Sequence, residues 1–303
     1  MVIDVHAHHI PYGCVDLENA TLGGVTSLGD LTDINRRIRD MDATGVDMHV
    51  LSVPPGLLNR PTETVRWLNN GIAETVDQDR HRFIGLATAP MDTPEEAPGE
   101  LERAVKELGL RGVEIGSNVH GMNLDAREFA PFYGKLQELD VPVFIHPVNV
   151  LGAERMGLYH LGNLLGNPTD TAVAAASLIF GGVLKEFPTL KFYLAHGGGS
   201  CPYLRGRWEH GWKVRTDAKV NITRSPSDYF KLLHFDSLTH SIPALSYLVE
   251  SVGAERIMLG SDYPFDMGDP DPVKTVASLP HLSKSQKELI LDGNARALFK
   301  LDA

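Results

Sequence analysis

The chain has 303 residues, 43% of them hydrophobic and 22% charged, with a formal net charge of −11. No stretch gathers Lys and Arg into a basic patch, which argues against nucleic acid as a partner, and no apolar run reaches the roughly 18 residues of a membrane span. The N-terminus carries no charged-then-apolar leader, and Cys14 and Cys201 suggest no disulfide framework, so a soluble cytoplasmic protein is expected.

Short apolar runs recur along the chain with helical patterns between them. The first, VIDVHAH (2–8), leads into an irregular stretch at 12–32. A helix then follows in INRRIRDMDATG, with Ile34, Ile38 and Met41 on one face and Gly45 as its stop. VDMHVLSV (46–53) is followed by TETVRWLNNGIAETVDQ, which carries Val65, Leu68, Ile72 and Val76 at helical spacing. FIGLATA (83–89) precedes TPEEAPGELERAVKELG, acidic at its start and closed by Gly109. GVEIG (112–116) precedes DAREFAPFYGKLQELD, where Pro131 fits a kinked or restarted helix. VPVFIH (141–146) leads into a long irregular stretch at 147–169 and then TDTAVAAASLIFGGVLKEF. LKFYLAH (190–196) leads to a helix beginning near Cys201 and Pro202, with 209–233 again irregular. The last runs are a weak HFDSLT (234–239) and RIMLGSD (256–262), separated by SIPALSYLVESVG and followed by SKSQKELILDGNARALF.

Eight buried-type strands alternating with helices predict one (β/α)8 barrel over residues 1–303. An open doubly wound sheet is the alternative, but no GxGxxG closes the first strand. In a barrel, 12–32 and 147–169 become loops over the C-terminal face, where active sites form.

Four of the strand runs end in residues that bind metals or move protons. The first delivers His6 and His8, the fifth His146, the sixth His196 and the eighth Asp262. Strand ends ring one mouth of a barrel, and residues i and i+2 share a side, so these five converge while His9 points elsewhere. Imidazole and carboxylate suit zinc and related divalent ions. A lone histidine at a strand end is usually structural, but four such ends together predict a metal centre. Asp4 reads as a buried or capping acid, with an orienting role toward an imidazole as the alternative. Gly197, Gly198 and Gly199 allow close backbone approach and could offer N–H groups to an anion.

HAH on the first strand, HP after the fifth, AHGGG after the sixth and GSDYPF after the eighth together resemble the amidohydrolase superfamily. More narrowly they resemble its decarboxylase-type branch, the relatives of 2-amino-3-carboxymuconate-6-semialdehyde decarboxylase. The likeness extends to RDMDATGVDMHVLS, KELGLRGVEIGSNV, SLIFGGVLKEFPTLKF, AHGGGSCPYLRGRWEHGW and GNARALF. It implies a distorted TIM barrel of metallo-dependent hydrolase type. It also implies one divalent metal held by His6, His8, His146 and Asp262: Zn2+ first, with Mn2+, Co2+ or Fe2+ as alternatives. His196 is implied as the acid/base beside it, with Asp262 as ligand or proton acceptor. Arg207 is implied to reach a substrate carboxylate across a homodimer interface; from spacing alone it reads as a solvated helix charge. GVEIGSN carries no lysine, which favours one metal over two.

Departures from the branch concern the substrate. The stretch PYGCVDLENATLGGVTSLGD is short and lacks Arg and Lys. In HPVNVLGAERMGLYHLGN, Val148, His160 and Asn163 stand where the branch has Trp. His160, Asn163, Phe265 and Arg207 are the expected substrate contacts, with Tyr263 a further wall and Arg60 and Arg224 weaker candidates. The expected function is a metal-dependent carboxy-lyase acting on an unsaturated or aromatic carboxylic acid. A hydrolase or hydratase using the same site is the alternative, and a non-catalytic metal-binding scaffold a more distant one.

Overall fold

The structure is a computed structural model that describes residues 1–11 and 28–301. Cys14 and most of the 12–32 loop lie outside the described residues. Eight strands form one parallel sheet in sequence order: β1 (Ile3–His8), β2 (Met48–Ser52), β3 (Phe83–Thr88), β4 (Gly112–Gly116), β5 (Pro142–His146), β6 (Lys191–Leu194), β7 (His234–Asp236) and β8 (Ile257–Met258). Beyond β8 the chain runs on beside β1. Val5 N–H donates to Leu259 O at 2.9 Å, Asp262 N–H to His6 O at 2.8 Å and His8 N–H to Tyr263 O at 2.7 Å. These bonds bring the last strand against the first and make the sheet a barrel, as the spacing predicts.

The helices follow the predicted order: α1 (Ile34–Thr44), α2 (Thr62–Gln78), α3 (Ala97–Lys106), α4 (Ala130–Leu139), α5 (Asn167–Phe180), α6 (Cys201–Val214), α7 (Ile242–Val252) and, after shorter turns, α8 (Asn294–Phe299). Local chemistry sets their ends. Asp33 caps α1 by accepting from Arg36 N–H, and Gly45 stops it in the left-handed region at φ 75°. The pattern at 169–187 reads as one helix, but the chain breaks at Gly181–Gly182. A Cβ on Gly181 would collide with Asp125, and Gly182 turns at φ 89°. Residues 209–214, expected to be irregular, complete α6.

Alternation along the strands sorts the core into two layers. Val113, Ile115, Val143, Ile145, Phe192 and Leu194 pack outward under the helices. Ile3, Val5, Met48, Val50, Ile84, Leu86, Phe144, Tyr193 and Met258 fill the barrel, closed below by Leu298 and Phe299 of α8. On β1 the register against β2 shifts between Asp4 and Ala7. Strict alternation would put Asp4 on the side of His6 and His8. The shift instead turns it outward, into a cavity of about 460 Å³ shared with His49, Ser261 and Tyr263.

The 147–169 loop is tied down by Asp170 in the first turn of α5. Its buried carboxylate accepts from Ser117 Oγ, from Asn118 Nδ2 at 2.9 Å and from Leu151 N–H at 3.1 Å. Orphaned buried donors cost about 1–3 kcal/mol each. Asp170→Ala should therefore lower unfolding free energy in urea by about 3 kcal/mol and speed amide exchange across 147–166. A loss below about 0.5 kcal/mol would show that the clamp is not used.

Candidate metal centre

Five side chains meet at the C-terminal mouth of the barrel. His6 and His8 come from β1, His146 closes β5, His196 follows β6 and Asp262 follows β8. His6 and His8 are fully buried, His146 and Asp262 nearly so, and the His196 side chain is 16% exposed. One ligating atom each from His6, His146, His196 and Asp262 lies within 4.8 Å of the others. His8 reaches the same point: its Nε2 is 3.1 Å from His6 Nε2 and 3.2 Å from Asp262 Oδ1. Asp262 Oδ1 is also 3.3 Å from His6 Nε2, and its Oδ2 is 3.5 Å from His196 Nε2. The barrel thus gathers every residue expected at the centre.

The donor chemistry fits a divalent ion. Three histidines engage an acceptor through Nδ1: His6 with Asp236 Oδ2 at 2.7 Å, His8 with Val53 O at 2.9 Å and His146 with Pro147 O at 3.1 Å. An imidazole that donates through Nδ1 keeps a lone pair on Nε2, and all three Nε2 atoms turn inward. His146 Nε2 and Asp262 Oδ1 are buried without a hydrogen-bond partner. Such orphaned atoms are costly in a folded protein and are natural ligand positions. His196 differs, since its Nδ1 is buried without a partner.

Burial and the two neighbouring acids pull the imidazoles in opposite directions. Burial, reinforced by the neighbouring imidazoles of His8, His196 and His6, holds His146 well below the usual histidine range, in the neutral form a ligand needs. Burial likewise lowers His8. Burial also opposes charge on His6, but Asp262 and Asp236 lift it to about 10. Asp262 would be raised by burial, yet charge attraction to His6 and the close imidazoles of His196, His6 and His8 hold it well below the usual carboxylate range.

The substrate-side expectations divide. A cavity of about 120 Å³ opens over His146, His196 and Asp262, walled by His160, Asn163, Asn167, Phe265 and Met267. The Phe265 ring lies 5.2 Å from that of His8. Arg207 is exposed on α6, outside this cavity, with no hydrogen bond or ion pair among the described residues. Tyr263 does not wall it: its hydroxyl donates to Asp40 at 2.8 Å in the cavity behind β1, where the Arg37 guanidinium stacks on its ring. Arg60 donates to Gly56 O, and Arg224 stacks on Tyr229. Cys201 is buried, with no disulfide partner among the described residues. Asp4 accepts the His6 backbone N–H and both Ser261 donors and faces His49 Nε2 at 3.7 Å, so it braces the strand from behind and makes no hydrogen bond to a ring of the metal centre. The N–H groups of the glycine turn are directed inside the protein: Gly197 donates to Asp236 Oδ1 at 2.7 Å, Gly198 to Ala195 O at 3.0 Å and Gly199 to His196 O at 2.9 Å.

Two participants escaped the sequence reading. Asp236 ends β7, and the rule that singled out His146 and His196 would have found it had HFDSLT read as a firmer strand. Glu114 lies in the quoted GVEIG and shares the inward face of β4.

Residues 3–301 match the family model described as amidohydrolase. The chain belongs to the amidohydrolase family. It is 38% identical over 330 residues to a 2-amino-3-carboxymuconate-6-semialdehyde decarboxylase of Dictyostelium discoideum, covering 99% of this chain and 92% of that protein. It is 33% identical over 298 residues to a gamma-resorcylate decarboxylase of a Polaromonas species, covering 90% and 89%. A solved dihydroxybenzoic acid decarboxylase from Polaromonas sp. JS666, holding manganese and 2-nitroresorcinol, superposes with a TM-score of 0.88. That pair is 30% identical, over 100% of this chain and 97% of that one. In this amidohydrolase the inward residue on β4 is an acid, so that strand offers no lysine to bridge a second metal.

Glu114 supplies a pH test. Both its oxygens are buried without partners, and burial pushes it well above the usual carboxylate range. The native state then holds a proton that the unfolded chain loses near pH 4.3. Stability should therefore fall as pH rises from about 4.3 toward the raised native value. Glu114→Gln should remove this dependence, so its melting temperature should gain on wild type progressively from pH 5 to pH 8. A gain independent of pH, or a loss growing with pH, would show that Glu114 is ionised in the native state.

Proposed function

We propose that this chain releases carbon dioxide from a small unsaturated or aromatic carboxylic acid at the barrel mouth. It is a metal-dependent carboxy-lyase of the amidohydrolase family. The observation that carries the substrate class is the small cavity over His146, His196 and Asp262, walled by one aromatic ring and by amide and imidazole groups. We take the whole chain, 1–303, as one barrel domain working in the cytoplasm.

In our assignment His6, His8, His146 and Asp262 hold the metal, and Zn2+ suits this imidazole-rich set, with Mn2+, Co2+ or Fe2+ as substitutes. A bound divalent ion supplies Lewis acidity toward the substrate's carboxylate or an adjacent oxygen. The choice of His8 over His196 as ligand rests on Nδ1. His6, His8 and His146 each anchor that atom on an acceptor, as metal-ligating histidines do, and His196 does not. A ring free at Nδ1, with Nε2 facing Asp262, is suited to carrying a proton. As the bond to the departing carboxylate breaks, His196 delivers a proton to the carbon left behind. Asp262 Oδ2 lies 3.5 Å from His196 Nε2, within reach of that nitrogen.

Among the described residues the cavity wall contains no Arg or Lys. A second acidic group on the substrate would need a cation from elsewhere, and Arg207 is our candidate, reaching in from a second copy of the chain. The exposed Tyr203 on the same helix, with Leu158, Tyr159, Leu164 and Leu165 in the 147–169 loop, gives such a copy apolar surface to cover.

Carbon dioxide release should be measured over a panel of hydroxybenzoic and unsaturated dicarboxylic acids. Acids consumed with gain of water and no carbon dioxide would replace the lyase by a hydratase. His196→Ala should keep its metal and lose turnover by about 10²-fold or more, whereas His8→Ala should lose metal. The opposite pattern would exchange their roles. His196→Ala and Arg207→Ala chains, each nearly inactive alone, should recover about a quarter of wild-type activity after random subunit exchange, since half the dimers are mixed and each has one complete site. No recovery after verified exchange would place Arg207 outside the partner's site.

A further inference from the structure

Asp236 lies outside the ligand group but touches two of the site's histidines. It is fully buried at the end of β7. Its Oδ2 accepts from His6 Nδ1 at 2.7 Å and from the His196 backbone N–H at 2.8 Å. Its Oδ1 accepts from Gly197 N–H at 2.7 Å and Leu238 N–H at 3.1 Å. We propose that Asp236 is a positioning residue that sets the tautomer of His6 and, through the same carboxylate, the placement of His196. This rests on the metal-dependent reading above.

The chemistry follows from what a carboxylate can do. Ionised, it only accepts, so His6 must carry a hydrogen on Nδ1. That leaves Nε2 to the metal side, where it faces His8 Nε2 and Asp262 Oδ1. The other half of the work is on the backbone. His196 and Gly197 both adopt the left-handed region, at φ 56° and 59°. A residue with a side chain is strained there, and two N–H bonds to a charged acceptor hold it. Gly260 packs closely against Asp236 and His6. A Cβ added to Gly260, on the far side, would lie 2.7 Å from Asp236 Cβ and 3.0 Å from His6 Cβ. One carboxylate therefore links the ring that binds metal to the backbone that carries the proton-transfer residue.

Asp236→Asn tests this with little change in size. An amide has one accepting oxygen. Facing His6, it leaves its NH2 against the Gly197 and Leu238 donors. Flipped, the NH2 donates to Nδ1, moves the ring hydrogen to Nε2 and removes the ligand lone pair. Titration of Zn2+ into metal-stripped protein should show affinity about 10- to 100-fold below wild type, with turnover lowered further than metal loading explains. In Zn2+-loaded wild type labelled with 15N-histidine, His6, assigned through His6→Gln, should show a protonated Nδ1 and a metal-bound Nε2. Affinity and tautomer are read without turnover, so a wrong reaction leaves both standing, while a wrong metal centre shows as no Zn2+ binding by wild type. Should the Asn variant fail to fold, the wild-type spectrum decides alone. Wild-type affinity in Asp236→Asn, or a bare or metal-bound Nδ1 on His6, would overturn the proposal.

Discussion

Two carboxylates, Asp236 and Asp262, lie buried on either side of the His6 ring, and the barrel mouth is built to make that burial tolerable. An ionised carboxylate taken out of water costs several kcal/mol unless its charge is met by opposite charge and hydrogen bonds. Asp236 is met by four N–H donors, three from the backbone and one from His6. Asp262 is met by three imidazole Nε2 atoms at 3.2–3.5 Å. Those contacts are longer than ordinary charged hydrogen bonds, and Oδ1 has no partner of its own. Asp236 is thus a satisfied acid, and Asp262 is one around which nitrogen lone pairs are arranged for a cation.

Much of the surrounding structure follows. The register shift on β1 lets Ile3 and Val5 fill the barrel below while His6 and His8 face the mouth above. The segment after β8 returns to β1 through three backbone bonds, which place Asp262, at φ 63°, directly against His6. From behind, buried Arg37 donates to the His8 carbonyl and to His49 Nδ1 at 3.2 Å, and its guanidinium covers the Tyr263 ring. It thereby braces both the β1 ligands and the turn that carries Asp262. Burial lowers the Arg37 pKa to about 10 and raises Asp4 to about 6.

The sequence made the cluster at the mouth legible because the barrel has a strong rule: strand ends converge. His6, His8, His146, His196 and Asp262 each close a firm apolar run, and the structure brings all five together. His160, Asn163 and Phe265 were legible by resemblance, and they do line one cavity. What the sequence hid were residues whose meaning depends on register. Asp236 closes a strand of three residues, too short for a periodic signal. Glu114 and Asp4 are both acids in apolar runs, yet one faces into the barrel and the other out, and only the pairing of β1 with β2 separates them. Arg37, three residues after Ile34 and four before Met41, lies on the apolar face of its helix, where a charged residue gives no signal of its partners, and it is 1% exposed. Tyr263 and Phe265 are two residues apart and both line the cavity behind β1, but only Phe265 also reaches the cavity over the site.

The central claim is a single metal ion at the mouth, and anomalous diffraction tests it most directly. Crystals grown with Zn2+ should be measured on both sides of the zinc absorption edge. One strong peak per chain is expected, roughly 2.0–2.2 Å from the Nε2 atoms of His6 and His146 and from the Asp262 carboxylate. No peak there, or a peak of equal strength bound by other residues, would contradict it.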